Sequence, residues 1–158
     1  MAEKNNLAVA ETDERVLVIE RIFDAPRELV FACWIEPQRI AQWMGPKGFA
    51  TRSLAYDPRP GGSYRVHMVG PDGDEHWLQG VFREITPPER LVRTFCWADA
   101  SGNPTPPETL LTVTFADLNG KTRLTLHQAV FESAAARDQH QGGWTSTLDR
   151  LVDYLATL

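Results

Sequence analysis

Trp144-Thr145-Ser146-Thr147-Leu148-Asp149-Arg150-Leu151-Val152-Asp153-Tyr154-Leu155 places Trp144, Leu148, Leu151, Val152 and Leu155 at the i, i+4, i+7, i+8 and i+11 positions of one helix face. Ser146, Asp149, Arg150 and Asp153 fall on the other side. The pattern predicts a helix that starts after Ser133, lies with one side on a sheet and keeps the other in water. Gly142-Gly143, just ahead of Trp144, costs such a helix about 1–2 kcal/mol relative to two alanines, so a kink or a close backbone approach is expected there.

Everything between the first helices and this segment reads as β. Val16 to Phe23 is β-branched and apolar, and Asp24-Ala25-Pro26 supplies a capping residue and a proline suited to a first helical turn. Leu29, Val30, Cys33 and Trp34 then repeat at helical spacing. Glu36-Pro37 breaks that helix before a second, short one from Pro37 to about Trp43. Beyond Gly45-Pro46-Lys47-Gly48, turn residues punctuate strands: Pro58-Arg59-Pro60-Gly61-Gly62, Gly70-Pro71-Asp72-Gly73, Thr86-Pro87-Pro88-Glu89 and the hairpin signal Asn119-Gly120. Seven strands are expected near 16–23, 49–56, 62–69, 75–85, 90–98, 109–117 and 121–130, with a long, mobile loop from Asp99 to Pro107. The order β-α-α-β6-α is an α+β order, and a curved antiparallel sheet wrapped around the last helix meets it, leaving a cavity between them.

The bulk numbers set the class. With 158 residues, 42% apolar and 23% charged, the chain suits one globular core. A single domain is expected over 15–158, after a disordered tail over 1–14. Sixteen basic against 21 acidic residues give a net charge of −5, with no basic stripe, so nucleic acid is not an expected partner. No apolar run approaches the roughly 20 residues of a membrane helix. The first fifteen residues resemble neither a signal peptide nor a transit peptide, so a cytoplasmic location without membrane insertion is expected. Cys33 and Cys96 fall in a helix and a strand without CxxC spacing and read as reduced, packed thiols.

Strand alternation selects the residues that should face the cavity. These are Tyr64, Val66 and Met68 on the third strand, Leu78 and Phe82 on the fourth, Phe95 and Trp97 on the fifth, Leu111, Val113 and Phe115 on the sixth, and Leu124 and Leu126 on the seventh. The final helix adds Trp144 and Leu148, and Trp43 and Phe49 should stand near the mouth. Trp77 has the opposite parity to Leu78, and a bulge would exchange them. Catalytic and metal motifs are missing: His67, His76, His127 and His140 form no paired ligand spacing, and there is no GxSxG, P-loop or dinucleotide fingerprint. Tyr64, Gln79 and Arg93 are polar groups that could orient a ligand or transfer a proton. No cofactor is implied, and the acidic clusters Asp13-Glu14 and Asp72-Gly73-Asp74-Glu75 read as solvated surface.

Three strings, Phe23-Asp24-Ala25-Pro26-Arg27-Glu28-Leu29-Val30, Trp43-Met44-Gly45-Pro46-Lys47-Gly48-Phe49 and Asp57-Pro58-Arg59-Pro60-Gly61-Gly62, resemble the SRPBCC (START-like) superfamily. Within it, they are similar to the activator of heat-shock-protein-90 ATPase homologue group. Gly80, Glu84-Ile85, Pro87-Pro88-Glu89-Arg90-Leu91-Val92, His127 and His140-Gln141-Gly142-Gly143-Trp144 continue the resemblance in order. It implies the helix-grip fold. It also implies co-chaperone-like activation of a chaperone ATPase, whereas the five tryptophans and the aromatic residues on most elements expected to line the cavity point to binding of a small apolar or amphipathic molecule. The eukaryotic co-chaperone joins this domain to a separate chaperone-binding one, and no second domain is expected in these 158 residues. A ligand binder, monomeric or homodimeric, is the leading expectation, followed by the chaperone activator and then by a lyase- or cyclase-type enzyme acting in the cavity.

Overall fold

A computed structural model describes residues 13–158. The elements run β1 (Leu17–Phe23), α1 (Arg27–Ile35), α2 (Pro37–Trp43), β2 (Ala50–Tyr56), β3 (Ser63–Val69), β4 (Glu75–Thr86), β5 (Arg90–Ala98), β6 (Pro104–Leu118), β7 (Lys121–Ala129) and α3 (Ala134–Leu155). All seven strands form one antiparallel sheet in the order β1-β7-β6-β5-β4-β3-β2. Sequence neighbours from β2 to β7 are therefore spatial neighbours. β1 closes the far edge by pairing with β7, Leu17 opposite Gln128 and Phe23 opposite Thr122. This is the α+β helix-grip architecture, with α1, α2 and α3 gathered on one face of the sheet.

That face holds the core. Alternation buries Tyr64, Val66 and Met68 on β3, Leu111, Val113 and Phe115 on β6, and Leu124 and Leu126 on β7. On β4, Leu78 and Phe82 point inward, while Trp77 lies on the outer face with its ring stacked on His67 at 4.3 Å. The irregularity of β4 falls later, between Phe82 and Glu84. The helices contribute an aromatic cluster: Trp34 meets Trp43 edge-on at 4.9 Å and stacks against Trp144 at 5.8 Å. Pairs of this kind add about 0.5–1.5 kcal/mol beyond the area they bury.

Several expectations need correction. The tail expected over 1–14 lies outside the described residues as far as 12. Within the described residues, the Asp13 carboxylate accepts from the backbone and guanidinium of Arg15. Asp24 does not cap α1, because the helix starts later and Pro26 occupies the cap position. The loop expected from Asp99 to Pro107 is shorter, because Pro104 to Pro107 already belong to β6: Thr105 pairs with Trp97 and Pro104 with Ala98. The Asp99 carboxylate closes the short turn by accepting from Ser101 and Asn103. The α3 helix runs unbroken through Gly142-Gly143, with nothing within 4 Å of a Cβ added at Gly142. Val152 sits at the rim of the helix face, 40% exposed, and Thr147 takes the buried place instead. Cys33 and Cys96 are free and buried, and no helix among the described residues is long and apolar enough to cross a membrane.

Candidate functional site

Near its N-terminal half, α3 stands off the sheet and leaves a cavity of about 260 Å³. Its buried end is formed by Met44, Gly45, Met68, Leu78, Phe95, Trp144 and Thr147, and its outer part by Pro46, Phe49, His76, Trp97, Gln139, His140 and Gly143. None of these described residues is Asp, Glu, Lys or Arg. Of the residues expected from strand parity, Phe49, Met68, Leu78, Phe95, Trp97 and Trp144 meet at the cavity. Trp43, Tyr64, Val66, Phe82, Leu111, Val113, Phe115, Leu124, Leu126 and Leu148 do not. These ten belong to the packed core, in one cluster with Val30, Phe31, Trp34 and Ile40 of α1 and α2. Alternation tells inward from outward, but it does not tell a filled interior from an unfilled one.

The wall has three parts, each held by its own polar contacts. The first is α3. Ser133 caps it by accepting from the amide of Ala136, and the carbonyl of Ala136 faces Nδ1 of His140 one turn on, at 3.1 Å. The indole N–H of Trp97 donates to Nε2 of the same ring at 3.1 Å. Those two bonds require the neutral tautomer with the proton on Nδ1. Burial pushes the His140 imidazole below its usual 6.5. Phe95, Trp97 and His140 also line a second void of about 90 Å³, so these rings form the partition between the two.

The second part is Trp144 and its support. Its Nε1–H donates to Gln128 at 2.8 Å, Gln128 donates to the Thr109 hydroxyl at 2.8 Å, and that hydroxyl donates to the Phe95 carbonyl at 3.1 Å. This buried relay ties α3 to β7, β6 and β5, and leaves the indole N–H unavailable to a ligand.

The third part is the segment from Met44 to Phe49. Gly45 has φ +95°, and a Cβ there would lie 2.9 Å from Met68 Sδ, so glycine is needed on both counts. Arg150, expected in water, instead turns back over this segment. Its Nη1 donates to the carbonyls of Met44, Gly45, Pro46 and Phe49 at 3.0–3.3 Å. Sequence reasoning missed it because a helix-face pattern counts a charged residue as solvated, whereas a long side chain at the edge of the face can reach carbonyls on a neighbouring loop. Also on the face assigned to water, Asp149 pairs with Arg21 and Ser146 accepts from the Lys47 amide.

The candidate proton-transfer groups lie elsewhere. Tyr64 donates to the Thr94 carbonyl at 2.6 Å, and burial raises its phenol pKa far above normal. Arg93 is fully buried, with its guanidinium 4.5 Å over the Tyr64 ring and donating to Tyr56. Gln79 is engaged with Arg65 and the Gly102 carbonyl. None lines the cavity. Among the described residues, no group of three or more His, Cys, Asp or Glu side chains is placed to hold a metal ion.

A family model described as "Activator of Hsp90 ATPase homolog 1-like protein" matches residues 24–156. Among solved structures, the AHSA1 protein of Silicibacter pomeroyi superposes with a TM-score of 0.82 at 26% identity, over 90% of this chain and 98% of that one. A Chromobacterium violaceum protein gives 0.79 at 28% identity, over 88% and 95%. An Arthrobacter aurescens protein solved by NMR gives 0.81 at 25%, over 92% and 88%. No curated protein matches the chain.

Proposed function

The chain belongs to the activator of Hsp90 ATPase homolog 1-like family, and from that premise we propose that it binds a small apolar or amphipathic molecule in the cavity between α3 and the sheet. The observation that carries the reading is the lining. A space of about 260 Å³, open on one side, is walled by Phe95, Trp144, Leu78 and two methionines, with its indole N–H groups already bonded within the protein. Transfer of apolar ligand surface into such a space is favourable by roughly 25 cal/mol per Å². A thermal-shift screen with apolar compound classes tests it. A ligand at a hundred times its Kd adds about 2.7 kcal/mol and raises Tm by several degrees. No stabilisation by any class would end the reading.

A second reading, stimulation of a chaperone ATPase, rests on the description of the matching family. ATP turnover by an Hsp90-type chaperone with saturating protein separates the two. A rise in turnover supports it, and unchanged turnover at several salt concentrations removes it.

A further inference from the structure

We infer that the cavity selects an uncharged aromatic ligand of one to two fused rings, carrying one polar atom that is held at the outer edge by His76 and Gln139. This rests on the binding reading above and adds the ligand's class.

Size comes first. An apolar protein cavity of about 150 Å³ holds benzene, so about 260 Å³ accommodates a bicyclic ring system. The partition of Phe95, Trp97 and His140 closes the path toward the smaller void. The wall is predominantly ring and thioether, which suits a flat π-system.

The polar accounting then fixes where a heteroatom can sit. Trp97 Nε1–H is spent on His140, His140 on Ala136, Trp144 on Gln128, and the Thr147 hydroxyl on the Gly143 carbonyl. Arg150 occupies the carbonyls of Met44, Gly45, Pro46 and Phe49 from the far side. No donor is left at the buried end, so a hydrogen-bond acceptor placed there would lose its water and gain no partner, although the Thr147 hydroxyl oxygen keeps its lone pairs. Two lining side chains keep a free donor. Neither His76, held only by ring contacts with Phe49 at 5.5 Å and Trp97 at 6.1 Å, nor the exposed Gln139 has a hydrogen-bond partner among the described residues. Charge is excluded for a separate reason. With no Lys or Arg in the lining, a carboxylate drawn in with the ring would give up water without gaining a counter-ion.

Titration of the full chain near neutral pH with naphthalene, 2-naphthol, 2-naphthoate and decanoate, followed by tryptophan fluorescence, is the test. Expected is 2-naphthol binding about 3- to 10-fold tighter than naphthalene, as one net hydrogen bond provides, and at least about tenfold tighter than 2-naphthoate or decanoate. In the His76→Phe, Gln139→Ala double variant, the two neutral compounds should bind within about twofold of each other. Naphthoate or decanoate matching naphthol would overturn the inference, as would a naphthol preference that survives in the variant. Naphthalene binding without either selectivity sinks the ligand class but leaves the binding reading standing. If no member binds and the broader apolar screen is also silent, both fall.

Discussion

Trp97 and His140, 43 residues apart in sequence, share one hydrogen bond in which the indole N–H is the donor and Nε2 of the imidazole the acceptor, at 3.1 Å. The acceptor role is available only while Nε2 carries no proton. Protonation would set two N–H groups against each other in the wall of the cavity, with Glu132 the charged group that favours the imidazolium and burial the larger effect opposing it.

Stability should therefore fall in mild acid through this residue. The unfolded chain takes up the proton near 6.5, whereas the folded imidazole, held lower by burial, does not. The stabilisation is fully present above 6.5 and is lost as the pH drops below it, because the unfolded state then binds more protons. Urea unfolding at about pH 7.5 and about pH 5.5 should show a smaller loss for His140→Gln, whose amide oxygen still accepts from Trp97, than for wild type. Equal losses would show that His140 is not the group responsible.

Arg150 should govern the cavity mouth without touching a ligand. Arg150→Met frees the carbonyls of Met44, Gly45, Pro46 and Phe49, costs about 1–3 kcal/mol, and should raise amide exchange from Gly45 to Phe49. Arg150→Lys should recover little, because a compact ammonium cannot spread over the same carbonyls. Unchanged exchange in the Met variant would refute the clamp.

The two glycines of α3 should separate stability from binding. Gly142→Ala meets nothing within 4 Å, and Gly143→Ala meets only Pro46 Cγ at 3.9 Å. Each should raise stability by up to about 1 kcal/mol in denaturant unfolding. Gly143→Leu projects into the cavity and should weaken binding of any compound that stabilises the wild type. A Gly143→Leu chain that binds as well as wild type would place the ligand elsewhere.

Trp144→Phe keeps a ring against Trp34 but strands the Gln128 carbonyl oxygen. The expected cost is about 1–3 kcal/mol for the orphaned acceptor, and Trp144→Ala should reach about 3–5 kcal/mol. Paired unfolding curves for Trp144→Phe and Gln128→Leu check the relay. If the double variant costs the full sum of the two singles, the bond contributes nothing.

Arg93 lies between the rings of Tyr64 and Trp34 with no carboxylate beside it, and its Nε and Nη2 have no partner among the described residues. Removing a buried charge that lacks an ion-pair partner should be nearly neutral or stabilising in Arg93→Met, because the desolvation cost disappears with the charge. Arg93→Lys should be the less stable variant, since it keeps the charge and gives up the planar stack. A loss above about 3 kcal/mol in the Met variant would show that the guanidinium contributes net stability through the two rings.

Short-range periodicity made the frame legible in the sequence. Trp144, Leu148 and Leu151 fall on the buried side of α3 as their spacing required, and Leu78 rather than Trp77 points inward. The turns at Gly70-Gly73 and Asn119-Gly120 separate the strands they were expected to separate. Each of these follows from a residue's relation to neighbours a few positions away, which the helix and strand repeats fix. What the tertiary structure alone decided was where packing stops. Val66 and Met68 share one strand face, yet only Met68 borders the cavity, because Val66 lies wholly inside the packed core whereas little but Pro46 approaches Gly143. In the same way Arg150 reads as a solvated cation until the segment from Met44 to Phe49 folds against it. Such contacts join residues about a hundred positions apart, and no local repeat encodes them.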